Sequence, residues 1–123
     1  IKYDPRVLFD YTNELRFLIM DSKSIYETVD NGKTFVKKGE IEFEKRNGNS
    51  VIVQDAVIKP DNGSVTYLAT NLGIYKSVDS GMTWENMKNN FKDDIGIKSI
   101  KYFKNDIKCF YMVTDYGIFK GKE

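Results

Sequence analysis

The feature that most constrains this chain is an internal repeat. Residues 25–35 read Ile-Tyr-Glu-Thr-Val-Asp-Asn-Gly-Lys-Thr-Phe, and residues 74–84 read Ile-Tyr-Lys-Ser-Val-Asp-Ser-Gly-Met-Thr-Trp, an offset of 49. A second echo carries Thr70-Asn71-Leu72-Gly73-Ile74-Tyr75-Lys76 into Thr114-Asp115-Tyr116-Gly117-Ile118-Phe119-Lys120, an offset of 44. Self-similarity at such a period means stacked supersecondary units. Inside each unit apolar and polar residues alternate, as in Ser64-Val65-Thr66-Tyr67-Leu68-Ala69-Thr70. Val, Ile, Thr and aromatic residues dominate the apolar segments, and no long stretch has the i, i+3, i+4, i+7 pattern of a helix. Period and composition both say β.

Turn signals divide the units into short strands, expected at 5–11, 15–21, 24–29 and 34–38, then 51–59, 64–70, 73–78 and 83–88, then 96–104, 108–114 and 117–120. Pro60-Asp61-Asn62-Gly63 is a hairpin turn, and Asn71-Leu72-Gly73 and Asp115-Tyr116-Gly117 turn the second strand of their units into the third. Four short strands per repeat of this length is the spacing of β-propeller blades. The expected organisation of 1–123 is a blade at 1–39, a linker at 40–50, a blade at 51–88, a linker at 89–95 and a partial blade at 96–123.

The two long repeats resemble a known motif. Thr28-Val29-Asp30-Asn31-Gly32-Lys33-Thr34-Phe35 and Ser77-Val78-Asp79-Ser80-Gly81-Met82-Thr83-Trp84 are similar to the Asp-box (BNR repeat), Ser-x-Asp-x-Gly-x-Thr-Trp. That motif marks propellers of sialidases, xyloglucanase-type glycoside hydrolases, sortilin-type receptors and photosystem assembly factors. The resemblance implies an all-β fold of four-stranded antiparallel blades, about two and three-quarters of them here. It favours an extracellular, cell-surface or virion setting. It is specific for fold and weak for function, because the families that share it do unrelated things.

The motif has a local physical account. Asp30 and Asp79 can accept turn N–H groups that would otherwise go unpaired, and Thr28 and Ser77 can join the same network. Gly32 and Gly81 supply positive φ. Phe35 and Trp84 are expected to bury a ring against the sheet. These aspartates therefore read as structural, not catalytic. Asp-Asn-Gly and Asp-Ser-Gly lack the further oxygens and closing Glu of a calcium loop, so no metal and no cofactor is expected.

By resemblance, ligands meet the face opposite the Asp-box turns. Carried onto this chain, that face holds Asp21, Ser22 and Lys23, then Asn71 and Leu72, then Asp115 and Tyr116. Asp21, Lys23, Asn71, Asp115 and Tyr116 are the candidate binding residues; Asp115 beside Tyr116 offers an acceptor next to an aromatic face, a pairing suited to sugar and equally at home in a turn. The linker Gly39 to Ser50 alternates Glu40, Glu42 and Glu44 with Ile41 and Phe43, which reads as a solvated extended arm or, functionally, as a partner-binding projection. Asp93-Asp94 reads as solvated surface.

Bulk properties narrow the partners. Nineteen Lys and Arg against 18 Asp and Glu leave a net charge of +1, with signs interspersed, so nucleic acid is not expected as a partner. No apolar run reaches the length of a membrane helix, so membrane insertion is not expected. The chain has no His and one Cys, Cys109, which reads as a small core residue. Glycoside hydrolysis needs two opposed carboxyls, and 18 candidates discriminate nothing. The arginines, Arg6, Arg16 and Arg46, show no sialidase-type cluster. The expected function is a binding scaffold for protein or glycan within a larger surface, secreted or phage-tail protein. The alternative is a portion of a carbohydrate-active enzyme whose catalytic residues lie mostly outside these 123 residues; a third class is an assembly factor. Fewer than the four to eight blades of a closed ring implies the rest of a propeller or a homo-oligomer.

Overall fold

The computed structural model describes residues 5–21, 24–41, 43, 45, 48–87, 95–103 and 106–122. The expected linker at 89–95 lies outside the described residues apart from Ile95, and so do Lys23, Asp93 and Asp94.

The described residues form eleven strands in three antiparallel sheets. The first sheet runs β1 (Arg6–Phe9), β2 (Phe17–Met20), β3 (Ser24–Thr28), β4 (Val36–Glu40). The second runs β5 (Val53–Ile58), β6 (Thr66–Thr70), β7 (Gly73–Ser77), β8 (Glu85–Asn86). The third has β9 (Ile97–Phe103), β10 (Asp106–Thr114) and β11 (Gly117–Lys122). Each is a meander in chain order. The repeat offset is preserved in register: Val7 pairs with Ile19 as Ala56 pairs with Leu68. Several strand bounds differ from expectation: β1, β2 and β5 are shorter than expected, β8 is confined to Glu85–Asn86 and β11 runs on to Lys122. β4 begins at Val36, since the preceding turn consumes residues up to Phe35, and β10 starts at Asp106.

The alternation in sequence becomes two core layers. Between the first and second sheets lie Leu8, Leu18, Met20, Ile25, Ile58, Leu68 and Tyr75. Between the second and third lie Tyr67, Ala69, Ile74, Ile100, Phe110 and Met112. Successive residues Tyr67 and Leu68 therefore serve opposite layers, as strand geometry requires. Each fully buried aliphatic side chain contributes about 1.5–3 kcal/mol. Cys109 is buried and free of disulfide. The segment expected as a solvated arm turns inward where it is described. Ile41 is buried and Phe43 packs its ring 4.2 Å from that of Tyr75, because these apolar residues cover the open side of the first core layer.

Polar links tie neighbouring sheets. Arg6 donates to the Gln54 carbonyl at 2.6 Å. Buried Arg16 bonds Asp10 at 2.9 Å and Glu27 at 2.8 Å, and reaches the Gly63 carbonyl in the β5–β6 turn at 2.7 Å.

Candidate functional site

Meander topology sorts the loops onto two ends. The β1–β2 and β3–β4 connections share one end, and the β2–β3 loops and the sheet-to-sheet crossovers share the other.

At the first end stand two turns built alike. The Thr28 hydroxyl donates to Asp30 Oδ1 at 2.8 Å and accepts the Gly32 N–H at 2.8 Å. Ser77 does the same for Asp79 and Gly81 at 2.7 and 2.9 Å. The Thr34 and Thr83 N–H groups bond Asp30 and Asp79 Oδ1 at 2.9 and 2.8 Å, while their hydroxyls donate to Oδ2 of the same aspartates. Asn31 and Ser80 adopt φ of 60° and 62°, and Gly32 and Gly81 follow at 87° and 91°. With both oxygens occupied by hydroxyl and N–H donors, led by the threonine hydroxyl, each carboxyl is held down at about 2. Both oxygens of each carboxylate are thus engaged by donors of the same turn, which ties the side chain to its own backbone. Trp84 packs into the first core layer with its ring 6.5 Å from Phe43. Phe35 departs from the expected burial: it meets Phe17 edge-on at 5.9 Å but stays 43% exposed, since no sheet among the described residues covers that face.

At the second end a cavity of about 630 Å³ opens between the second and third sheets. Its lining brings three of the sequence candidates together: Asn71, Asp115 and Tyr116. Asp115 pairs with Lys98 at 2.9 Å, both largely exposed, and the Tyr116 ring is 77% exposed beside Phe119. Asn71 is engaged otherwise. Its amide accepts the Ile52 N–H at 2.6 Å and donates to the Ser50 carbonyl at 2.9 Å, fastening the chain that enters β5. Asp21 is buried and caps its own turn by accepting the Ser24 N–H at 2.7 Å. It does not line the cavity. Lys23 falls outside the described residues.

Gln54, Lys98 and Phe119 also line the cavity and were not singled out from the sequence. A signal for two of them existed. Gln54 and Lys98 are related by the same 44-residue offset as Asn71 and Asp115, so the second end is lined by repeat-equivalent pairs from neighbouring sheets. The cavity offers an ion pair, an amide and two aromatic faces. Among the described residues no group of three or more Cys, His, Asp or Glu side chains could hold a metal.

No family model matches this chain, and no curated protein does. Solved structures do. One is YCF48 bound to D1 peptide, at TM-score 0.61 and 15% identity over 95% of this chain and 36% of that one. Another is the GH74 xyloglucanase of Xanthomonas campestris, at TM-score 0.64 and 14% identity over 95% of this chain and 22% of that one. YCF48 from Cyanidioschyzon merolae matches at TM-score 0.62 and 13% identity over the whole of this chain and 39% of that one. These are propeller proteins. The fold is a partial β-propeller. Each sheet is a blade, and the chain spans about two fifths or less of the propeller proteins it matches. Likeness at this identity speaks for fold alone.

Proposed function

We propose that this chain is a recognition module whose ligand seat is the cavity between the second and third blades, taking a protein segment or a glycan. One observation carries the reading: Asp115, Lys98 and Tyr116 converge on an open cavity of about 630 Å³, while the aspartates of the repeated turns are engaged within their own turns. Cavities of this size with a few convergent polar groups and aromatic walls are the usual form of binding sites. The resemblance of 28–35 and 77–84 to the Asp-box supports a binding propeller, with these turns as its structural fasteners. The neighbours illustrate both ligand classes, one solved with a bound peptide and another a xyloglucanase. A catalytic reading is weaker, because the cavity lining contains one carboxylate, Asp115, where glycoside hydrolysis uses two.

The test is a screen of glycan and peptide arrays, followed by calorimetry on hits. Tyr116→Ala and Asp115→Ala are expected to weaken binding about tenfold or more, in line with loss of an aromatic anchor, while Asp30→Asn leaves it unchanged. Turnover of a bound glycan would sink the binding-only reading.

A further inference from the structure

The innermost strands of the second and third blades break register at the same place. Val53 pairs with Thr70 and Asp55 with Ala69, so Gln54 is an extra residue in β5. Ile97 pairs with Thr114 and Ser99 with Val113, so Lys98 is an extra residue in β9. The two bulges stand 44 residues apart, at the repeat offset. A bulge interrupts the ladder and re-aims the side chain it carries. Both re-aimed side chains are exposed and line the cavity between these blades. In the first blade β1 pairs without a break from Arg6 to Phe9, so a blade does not need the bulge to form.

The groups placed in this way are charge-balanced. The Lys98 ammonium stands 2.9 Å from Asp115 Oδ1, and these are the only charged side chains among the described residues of the lining. An anionic ligand would draw Lys98 away and face an unpaired Asp115; a cationic one would meet Lys98 in the same way. Like charges so placed act against both. An uncharged ligand keeps the pair and still finds further ammonium donors and the second carboxylate oxygen. The Gln54 side-chain amide, which donates and accepts, has no partner among the described residues.

The main chain around the seat is largely engaged. The Leu72 and Tyr116 N–H groups bond the Thr70 and Thr114 hydroxyls at 3.0 Å each, and those hydroxyls donate to the Gly73 and Gly117 carbonyls. The Asn71 N–H bonds the Ile52 carbonyl, and the Gln54 carbonyl accepts from Arg6. An extended peptide is held chiefly through main-chain bonds and finds few to make here. A sugar hydroxyl donates and accepts, which suits side-chain amide, ammonium and carboxylate, and the C–H face of the ring suits the aromatic walls.

On the reading of this cavity as the ligand seat, we propose that Gln54 and Lys98 are its specificity residues and that its ligand is an uncharged sugar ring. The ring sets its hydroxyls on Gln54 and the Lys98–Asp115 pair and its C–H face on Tyr116.

The test puts the chain on two arrays, one of oligosaccharides, both neutral and bearing uronic or sialic acids, and one of peptides. Neutral oligosaccharides are expected to bind, and calorimetry on a hit is expected to give an affinity that changes little with added salt, because no net charge is neutralised. Gln54→Ala is expected to weaken that binding about tenfold. Asp115→Asn leaves Lys98 a lone cation and is expected to weaken the neutral hit and admit acidic sugars. Circular dichroism of both variants is expected to be unchanged, since both side chains lie at the surface; Gln54→Glu, of the same shape, repeats the first measurement if Gln54→Ala misfolds. Wild-type hits confined to acidic sugars or peptides, and lost in Tyr116→Ala, overturn this assignment and leave the seat standing. Neutral hits that Gln54→Ala, Asp115→Asn and Tyr116→Ala all leave unchanged overturn the seat as well. A chain that binds nothing on either array overturns both.

Discussion

The Asp55 carboxylate on the innermost strand of the second blade accepts the backbone N–H of Ile100, on the innermost strand of the third, at 3.0 Å. The same oxygen accepts the Ser99 hydroxyl at 3.1 Å and the Lys101 ammonium at 2.9 Å. Burial pushes this carboxyl up, but the Ile100 N–H, the Lys101 ammonium and the Ala56 N–H together hold it below its ordinary value. Asp55 thus fixes how the two blades that form the cavity sit against each other.

Replacing Asp55 with Ala is expected to cost about 1–3 kcal/mol, the cost of leaving a partly buried donor unmatched. Chemical denaturation measures it as a lower midpoint. Since Asp55 does not line the cavity, any accompanying loss of ligand affinity would report blade displacement.

Acid is expected to weaken the repeated turns. Asp30 and Asp79 titrate near 2 in the folded chain against an ordinary 3.8. A depressed carboxylate stabilises fully above its unfolded value, and that stability is lost as pH falls from about 4 toward 2. The Asp30→Asn, Asp79→Asn double variant is expected to show a flatter acid limb when melting temperature is followed from neutral pH down to 2.

Two glycines with similar backbone angles are expected to respond differently to Ala. Gly48 has φ +79° with open space where a Cβ would go, so Gly48→Ala costs the backbone strain alone, about 1–2 kcal/mol. At Gly81, φ is +91° and the Cβ would stand 2.7 Å from Ile25 Cδ1, in the core of the first blade. Overpacking adds about 1–3 kcal/mol there. Thermal melts of the two variants give the difference directly.

Arg16→Met removes the cation that Asp10 and Glu27 share and the donor to Gly63. Asp10 and Glu27 are only 4% and 18% exposed and keep Thr12 and Lys38 as partners, so they stay poorly solvated and less well paired, and the loss is expected at about 3 kcal/mol. Arg16→Lys is expected to recover little, because one ammonium cannot reproduce the fork between two carboxylates.

The turns at 28–35 and 77–84 were legible because their contacts span at most four residues, so that residue types in order nearly fix the geometry. Of the loop candidates, Asn71, Asp115 and Tyr116 line the cavity, Asp21 does not, and Lys23 lies outside the described residues. Asp115 and Tyr116 reach the cavity, while Asn71 spends its amide on Ser50 and Ile52, distant in sequence but adjacent across the blade edge. Lys98 and Gln54 sit on innermost strands whose alternation carries no mark of a cavity beside them.

By itself the sequence determined the repeat, the strands, the turns and the two-faced alternation of Tyr67 and Leu68, because all of these follow from local periodicity and short-range hydrogen bonds. Only the tertiary structure decided which faces are covered. Phe35 and Trp84 stand at equivalent places in the same motif, yet one ring packs into a core and the other remains 43% exposed. Burial is a property of the neighbouring blade and not of the residue: Trp84 has the first blade beside it, and Phe35 has none among the described residues.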